Sequence, residues 1–172
     1  MTPIVLLILY PINPKPVLSG SEEHNGITIK YPSDDWQPIK PGDDFGGEVI
    51  HFIPQIQKQL DSCTLEITIN VNKQLLSVEE SKNFAIQKIK NINPNQKITD
   101  ETKLLTTLSN FNAYKLTYTR QEGQCKLKVM EIGTVRDGKA YFITYTAELT
   151  KYSLYLPTAE AMIQSFKITE NH

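Results

Sequence analysis

The chain has 172 residues, of which 40% are hydrophobic and 22% are charged, and its formal net charge is −1. This is the composition of an ordinary globular domain with a sizeable core, and the near-neutral charge gives no electrostatic reason to expect binding to nucleic acid or to an anionic membrane surface. The three histidines and two cysteines are dispersed, which excludes a zinc-finger spacing and a disulfide-rich framework.

Residues 1–23 are predicted to be an apolar N-terminal segment followed by a proline-rich linker. The apolar run IVLLILY at 4–10 is too short for a membrane-spanning helix, which takes about 20 apolar residues. It is interpreted either as the trailing end of a signal or membrane anchor, or as a strand lying on the domain. The prolines and the stretch SGSEEHNG that follow favour the first alternative. The domain itself is predicted at 24–169, with a short tail at 170–172.

Short strands follow the linker. GITIKYP at 26–32 and LEITINV at 65–71 alternate apolar and polar residues, and EVIHFI at 48–53 reads as a strand between them. The stretch 33–47 is rich in proline, glycine and aspartate and is predicted to be a loop. Trp36, the only tryptophan, is expected to be buried and to anchor this loop to the core.

The clearest helix begins after Ser77. Ser77 and Glu80 have the S-x-x-E spacing of a capping box, in which the two side chains bond free backbone N–H groups at the helix start. Asn93-Pro94 ends the helix, because the residue before a proline avoids the helical conformation. The apolar stripe consists of Val78, Ala85, Ile89 and Ile92, with Phe84 beside it.

The chain is organised around a hairpin at 125–147. Asp137-Gly138 supplies the two residues that tolerate the positive φ angles of a type I′ turn. The second arm, 140–147, carries bulky residues at both parities, which predicts a strand covered on both faces. In the first arm the apolar positions change parity near Met130, so that arm is either covered on both faces as well or contains a β-bulge.

Two strands precede this hairpin and one helix follows it. The strands are predicted at 103–109 and 113–120 around a turn at 110–112, and Pro157 is placed in the first turn of the helix. The order of strands, helix, antiparallel strands and helix predicts an α+β protein in which helices pack on an antiparallel sheet. The apolar stripe of the last helix consists of Ala159, Met162, Ile163 and Phe166.

The cysteines, Cys63 and Cys125, both lie at the start of predicted strands. They are interpreted as two small buried apolar residues, or as a single disulfide if their strands are neighbours and the compartment is oxidising. The sequence leaves both alternatives open.

Five stretches, taken in order, carry a family resemblance. They are GITIKYPSDDW (26–36), GEVIHFI with LEITINV (47–53 and 65–71), SVEESKNFAIQKI (77–89), TTLSNFNAYKLTYT (106–119), and the closing hairpin and helix from DGKAYFITYTAEL to MIQSFKI (137–168). Together they resemble the PsbP-like domains of cyanobacteria, including those attached to serine/threonine protein kinases. The resemblance covers about residues 24–169.

The resemblance implies a PsbP-like α/β/α sandwich, a central antiparallel sheet flanked by helices on both faces. It also implies a non-catalytic accessory or sensory binding module with a protein partner, either a membrane-associated complex or an upstream kinase region. The alternatives are an extrinsic or assembly factor of photosystem II in the thylakoid lumen, and a small enzyme with an unrecognised site. With the apolar start, the expected location is extracytoplasmic, periplasmic or thylakoid lumenal, and the membrane is contacted only through residues 1–23 if at all.

One metal site is conceivable in the loop 33–48, at four aspartates that share it with Glu48. Calcium takes oxygen ligands, although no EF-hand spacing is present. The alternative is that solvated carboxylates keep the loop soluble, and no other cofactor is expected. The same loop is the surface expected to matter for binding, since loops on a rigid sheet commonly carry function. The candidate ligands are Asp34, Asp35, Asp43 and Asp44.

No catalytic residue is predicted. His51 lies inside a strand, where a single histidine is usually structural or half-exposed. A nucleophile needs a base and an orienting group, and the sequence has no G-x-S-x-G and no Cys–His neighbourhood.

Overall fold

The computed structural model describes most of the predicted domain. The N-terminal run 4–10, the aspartates Asp43 and Asp44, and the tail 170–172 lie outside the described residues. Among the described residues, no helix is long and apolar enough to cross a lipid bilayer. The described residues are 15–39, 48–55, 63–73, 75–100 and 106–169.

Along the described chain, five strands, a helix, six strands, a second helix and one short strand follow one another, in the predicted α+β order. The helices are α1 (Val78–Ile92) and α2 (Tyr152–Ser165). The strands are β1 (Gly20–His24), β2 (Ile27–Tyr31), β3 (Trp36–Ile39), β4 (Glu48–Pro54), β5 (Glu66–Lys73), β6 (Ile98–Asp100), β7 (Thr107–Leu108), β8 (Phe111–Asn112), β9 (Tyr114–Glu122), β10 (Cys125–Arg136), β11 (Lys139–Glu148) and β12 (Lys167–Ile168).

The main sheet is antiparallel, with the strand order β3-β4-β5-β11-β10-β9-β6. The predicted hairpin, β10 and β11, lies inside it, and its turn has the positive φ angles of 50° at Asp137 and 71° at Gly138. The type I′ turn is thereby confirmed. Helices pack on both faces of this sheet, so the predicted fold class is confirmed.

The parity change near Met130 has no bulge behind it. Pairing between β10 and β11 continues one residue to one, from Leu127 opposite Glu148 to Arg136 opposite Lys139. Successive side chains therefore point to opposite faces throughout β10, and residues of both parities are buried. The strand is covered on both faces, as one of the two alternatives predicted.

The larger core lies between the main sheet and α2. Ile69 and Ile143 face each other on adjacent strands of the sheet, and Met162 of α2 and Phe166, directly after the helix, pack in the same cluster. The predicted apolar stripe of α2 is buried, and Trp36 is buried at 2% exposure as expected. The smaller core, on the opposite face, contains Ile89 of α1.

A small second sheet, in the order β1-β2-β12, covers part of the α2 side. Its strand β1, at residues 20–24, consists mostly of residues 20–23, which the sequence assigns to the linker. The turn between β1 and β2 is Asn25-Gly26, with φ angles of 44° and 81°. Asn-Gly is the strongest short hairpin signal in a sequence, and it marks this strand.

The predicted loop 33–47 also contains a strand, β3, at the edge of the main sheet. Pro38 in this strand lies opposite Phe52 of β4. Proline has no backbone N–H to donate, so it is tolerated on an edge strand whose outer side has no partner strand. The proline-rich composition therefore predicted a loop where the sheet has an edge strand.

The helix α2 begins earlier than predicted, so that Pro157 lies inside it rather than in its first turn. Tyr152, at the start of the helix, is buried, and its carbonyl oxygen accepts a 2.8 Å hydrogen bond from the hydroxyl of Tyr145. The two rings lie 4.8 Å apart between centroids. This packing stabilises a helical turn before the proline, where propensity alone favours a break.

Candidate functional site

A cleft of about 630 Å³ opens between α1 and the sheet face on which α1 packs. This volume lies within the range of about 300–1,000 Å³ that is typical of small-molecule sites. The helix contributes one wall, which is largely apolar with one hydroxyl and one ammonium group. The residues of this wall are Ser81, Phe84, Ala85, Lys88, Ile89 and Ile92.

Four adjacent strands of the main sheet form the floor. They contribute aromatic rings and uncharged polar groups around a single carboxylate, that of Glu131 on β10. Alternation along each strand places these side chains on the α1 side of the sheet. The other floor residues are Asn70 and Asn72 of β5, Tyr114 and Tyr118 of β9, and Phe142 and Thr144 of β11.

The position of α1 is set at its first turns. The predicted capping box is present: Ser77 Oγ accepts a hydrogen bond from the backbone N–H of Glu80, and the Glu80 carboxylate accepts one of 2.8 Å from the N–H of Ser77. One turn later, Lys82 makes ion pairs of 2.9 Å with Glu79 and 3.3 Å with Asp100 of β6. The N-terminal half of the helix is thereby tied to the edge of the sheet.

The apolar stripe of α1 is only partly buried. Ile89 lies in the smaller core, but Ile92 is 82% exposed and Phe84 is 62% exposed. The prediction that Ile92 belongs to a buried stripe is wrong. The last turn of α1 lies along the open cleft, so the side chain of Ile92 does not pack against the sheet. The helix packs on β9 and β10, and the cleft opens beside it towards β11 and β5.

A hydrogen-bonded pair lies in the floor of the cleft. The hydroxyl of Tyr114 donates a hydrogen bond of 2.7 Å to Oε1 of Glu131. Burial raises the pKa of Glu131, and the hydrogen bond from Tyr114 and the positive charge of Lys88 offset only part of this rise. Burial, together with the adjacent Glu131, also raises the pKa of Tyr114 well above its usual range and that of Tyr118 to about 12. Both phenols are therefore protonated hydrogen-bond donors at neutral pH.

Two polar groups of the cleft have bonding capacity left over. Within the described part of the chain, Glu131 makes no ion pair, and its second oxygen, Oε2, accepts no hydrogen bond. Ser81 is 2% exposed and its Oγ has no hydrogen-bond partner of standard geometry, although it lies close enough to Tyr114 to lower the pKa of that phenol slightly. The cleft can therefore accept a hydrogen-bond donor at Glu131.

The predicted acidic site lies elsewhere. Asp34 and Asp35 are exposed in the turn before β3 and do not line the cleft, while Asp43 and Asp44 fall outside the described residues. Over the described ranges, no group of three or more histidine, cysteine, aspartate or glutamate side chains is arranged to hold a metal ion. Calcium binding by the four aspartates remains a prediction.

His51 lies on β4 and is half-exposed, as the structural interpretation of this residue expected. Its Nδ1 lies 3.3 Å from Oε2 of Glu66 on the neighbouring strand β5. Neither residue lines the cleft.

Cys63 and Cys125 form a disulfide, with their Cα atoms 5.6 Å apart. Their strands are not neighbours, since β11 lies between β5 and β10. Thr146, close to the end of β11, pairs with Glu66 on one side and with Val129 on the other. Both cysteines precede these partners, so they meet just beyond the end of the intervening strand. The disulfide alternative is the one that the fold adopts.

Sequence reasoning missed Glu131 and Tyr114 as site residues. A signal for Glu131 is present, because it is the one acidic side chain at 127–132, where four of the other five residues are apolar, and coverage on both faces was one of the two alternatives predicted for this strand. A charge at such a position is rarely kept without a partner or a function.

Comparisons with known proteins give the following findings. A profile of the PsbP-like protein family matches residues 20–168. Comparison with curated protein sequences finds no match. The fold is similar to that of LpqN, a protein involved in cell envelope biogenesis of Mycobacterium tuberculosis, at 17% identity and a TM-score of 0.55, over 84% of this chain and 83% of LpqN.

Two further solved structures resemble the chain. A crystal structure from Bacteroides thetaiotaomicron matches at 16% identity and a TM-score of 0.51, over 85% of this chain and 46% of the Bacteroides chain, so this chain spans less than half of that protein. The solution structure of cyanobacterial PsbP from Synechocystis matches at 12% identity and a TM-score of 0.44, over 83% of this chain and 86% of that one. At these identities, the likenesses to LpqN and to the Bacteroides structure show the fold alone.

Proposed function

This chain belongs to the PsbP-like protein family, and we propose that it is a non-catalytic binding module that acts outside the cytoplasm. The observation that carries the proposal is the cleft of about 630 Å³ between α1 and the main sheet. Its floor lies on the rigid centre of the sheet, and its wall is a helix tied down at its first turns. A pre-formed concave site that combines apolar surface with a few polar groups is the usual form of a binding site.

The absence of a predicted nucleophile and base agrees with the family, whose members are generally non-catalytic. In the cleft, the acid Glu131 is faced by two protonated tyrosines and by one lysine on the exposed side of α1. This arrangement is suited to hold and orient a donor group of a ligand, which supports a binding role.

The extracytoplasmic location is supported by the disulfide between Cys63 and Cys125. Disulfides form and persist in oxidising compartments such as the periplasm and are rare where thiols are kept reduced. Cell fractionation with alkylation of free thiols tests this part of the proposal. We expect the protein outside the cytoplasm with both cysteines protected from alkylation, and a cytoplasmic protein with two free thiols contradicts it.

We propose that the module has a protein partner, either a membrane-associated complex or an upstream kinase region. The test is affinity capture with the tagged full-length chain from native membranes, comparing the wild type with Asn70→Trp. Asn70 lines the cleft on β5, so an indole at this position fills part of it. The matched control is Lys73→Trp, an exposed position on the same strand that does not line the cleft.

We expect Asn70→Trp to reduce capture of the partner and Lys73→Trp to leave it unchanged. Recovery of photosystem subunits or of a kinase identifies which partner class applies. If neither variant changes what is recovered, the cleft is not the binding surface. If nothing is recovered beyond the background of an untagged extract, the proposal that the module has a protein partner is wrong.

A further inference from the structure

The cleft has a distinctive distribution of charge. Its floor carries one carboxylate, Glu131, and its rim carries two cations, Lys88 on α1 and Arg120 on β9. Arg120 is already paired with Glu122 at 3.2 Å, and Lys88 is an exposed side chain, so water weakens the field of its charge. The strongest field inside the cleft is therefore that of the less solvated group, Glu131.

Aromatic rings surround this carboxylate. On β9, Glu131 lies opposite Leu116, so Tyr114 and Tyr118 are its two diagonal neighbours. On β11, it lies opposite Thr144, so Phe142 is a diagonal neighbour on the other side. Diagonal neighbours in an antiparallel sheet are about 7–8 Å apart, within reach of aromatic side chains.

A carboxylate beside several aromatic faces is complementary to an organic cation. The carboxylate makes charge-assisted hydrogen bonds to an ammonium group, which are about twice as strong as bonds between neutral partners. Aromatic rings add an attraction between the cation and the negative face of the ring. Oε2 of Glu131, which accepts no hydrogen bond from the described chain, is the free acceptor that such a group requires.

We propose that the cleft binds a small molecule with a protonated amine on an apolar body, the ammonium group being held by Glu131 beside Tyr118 and Phe142, while the fully buried Tyr114 orients the carboxylate through its hydrogen bond. The apolar body lies against the α1 wall, where the ring of Phe84 is 62% exposed. This inference rests on the proposed function, since it names the ligand class of the same cleft.

Three probes of nearly the same size and shape test the charge of the ligand: 2-phenylethylamine, 2-phenylethanol and 3-phenylpropionate, which are cationic, neutral and anionic at pH 7. Each is titrated into the folded, disulfide-bonded chain, and amide chemical shifts measured by NMR locate the site and give Kd. We expect the amine to bind at least about tenfold more tightly than the alcohol, and the acid to bind more weakly than the alcohol.

Two variants assign the effect to residues. Glu131→Gln keeps the shape of the side chain and its acceptor for the Tyr114 hydroxyl, and we expect it to abolish the preference for the amine while leaving the Kd of the alcohol unchanged. Phe142→Leu removes one ring at similar volume and is expected to weaken amine binding about two- to fivefold. The matched control is Glu148→Gln, the same change on β11 at a residue outside the cleft, which should leave all three Kd values unchanged.

Lys88→Gln gives an independent readout, because it removes a cation from the rim. We expect it to tighten amine binding; a loss of amine binding in this variant overturns the proposal, since it means that Lys88 binds an anionic part of the ligand.

Equal affinity for amine and alcohol, or an amine preference that survives Glu131→Gln, overturns the ligand class but leaves the cleft as a binding site. If none of the three probes shifts cleft resonances, the proposal is wrong. The binding-module function is then decided separately, by the capture experiment with Asn70→Trp.

Discussion

The ring of Tyr114 lies directly over Gly133, its cross-strand partner on β10. A Cβ atom added to Gly133 would lie 2.5 Å from Cε1 and Cζ of this ring, a distance that no real contact allows. The missing side chain lets the ring lie across the neighbouring strand, so that the hydroxyl reaches Glu131 at 2.7 Å. Gly20 and Tyr31 repeat the arrangement between β1 and β2, with 2.6 Å to Cζ.

Replacing Gly133 with alanine is expected to destabilise the protein by about 1–3 kcal/mol, because the methyl group overpacks a buried ring that cannot move away without losing its hydrogen bond. The free energy of unfolding in urea measures this cost. Gly123→Ala is the control, since φ at Gly123 is 58° and no atom lies within 4 Å of the added Cβ. That variant should lose only about 1 kcal/mol, from backbone strain. An effect of Gly133→Ala no larger than the control contradicts the close contact.

The raised pKa of Glu131 makes the stability of the protein depend on pH. Below the ordinary value of 4.5 the carboxyl group is protonated in the folded and unfolded states alike, and its burial carries no charge penalty. As the pH rises above 4.5 the unfolded state ionises first, so stability is lost until the folded state ionises too. The charged or titratable groups near Glu131 are Tyr114 and Tyr118 on β9 and Lys88 on α1.

Glu131→Gln removes this ionisation. We expect its melting temperature to exceed that of the wild type at pH 8 and the difference to shrink as the pH falls towards 4, since a tenfold difference between the ionisation constants of the folded and unfolded states corresponds to about 1.4 kcal/mol. Thermal unfolding followed by circular dichroism across this range measures the difference. Parallel curves for the two proteins contradict a raised pKa for this group.

The disulfide between Cys63 and Cys125 closes a loop with a sequence separation of 62 residues. In the chain-entropy description, a loop of this length restricts the unfolded state enough to stabilise the fold by about 4 kcal/mol. The double variant Cys63→Ser/Cys125→Ser should therefore lose about 3–4 kcal/mol of unfolding free energy. Added reductant should destabilise the wild type and leave the double variant unchanged; equal sensitivity of both to reductant contradicts the bridge.

The capping box at the start of α1 positions the helical wall of the cleft. Ser77→Ala removes the acceptor for the N–H of Glu80 and is expected to cost about 1 kcal/mol. The matched control is Ser153→Ala. Ser153 is exposed in the first turn of α2, a helix whose N-cap residue makes no side-chain hydrogen bond. It should change stability by a few tenths of a kcal/mol at most, since alanine is the better helix former. Urea unfolding measures the free energy of unfolding of both variants. Equal losses in the two would show that the capping box does not stabilise the protein.

The acidic composition of the loop 33–48 predicts a weak calcium site at Asp34, Asp35, Asp43 and Asp44. Extracellular calcium sites of low affinity have Kd values of about 10⁻⁴ to 10⁻³ M. Calorimetric titration with calcium should detect binding in this range, and replacement of all four aspartates with asparagine should abolish it. Magnesium serves as the control cation. If the wild type and the fourfold variant give the same titration, the aspartates are only a solvated surface.

The amino-acid sequence by itself determined the local features of the fold. The turn at Asp137-Gly138, the capping box of Ser77 and Glu80 and the end of α1 before Pro94 each depend on a few adjacent residues, whose backbone preferences act over one turn. The same kind of signal is present at Asn25-Gly26, where it marks the hairpin of β1 and β2. These features, with the alternation of apolar residues, were sufficient for the α+β class.

The tertiary structure alone decided the features that join distant parts of the chain. β5 lies beside β11 although 65 residues lie between Lys73, at the end of β5, and Lys139, at the start of β11. This pairing brings Cys63 to Cys125 just beyond the end of β11. Pro157 lies inside α2 because Tyr152 packs on Tyr145, a contact that outweighs the local preference for a break. In the described part of the chain, α1 covers β9 and β10 and leaves β11 and β5 open, which forms the cleft, so the surroundings of Glu131 come from one helix and four strands. Such arrangements depend on which non-local contacts bury the most apolar surface, and no short stretch of sequence encodes that competition.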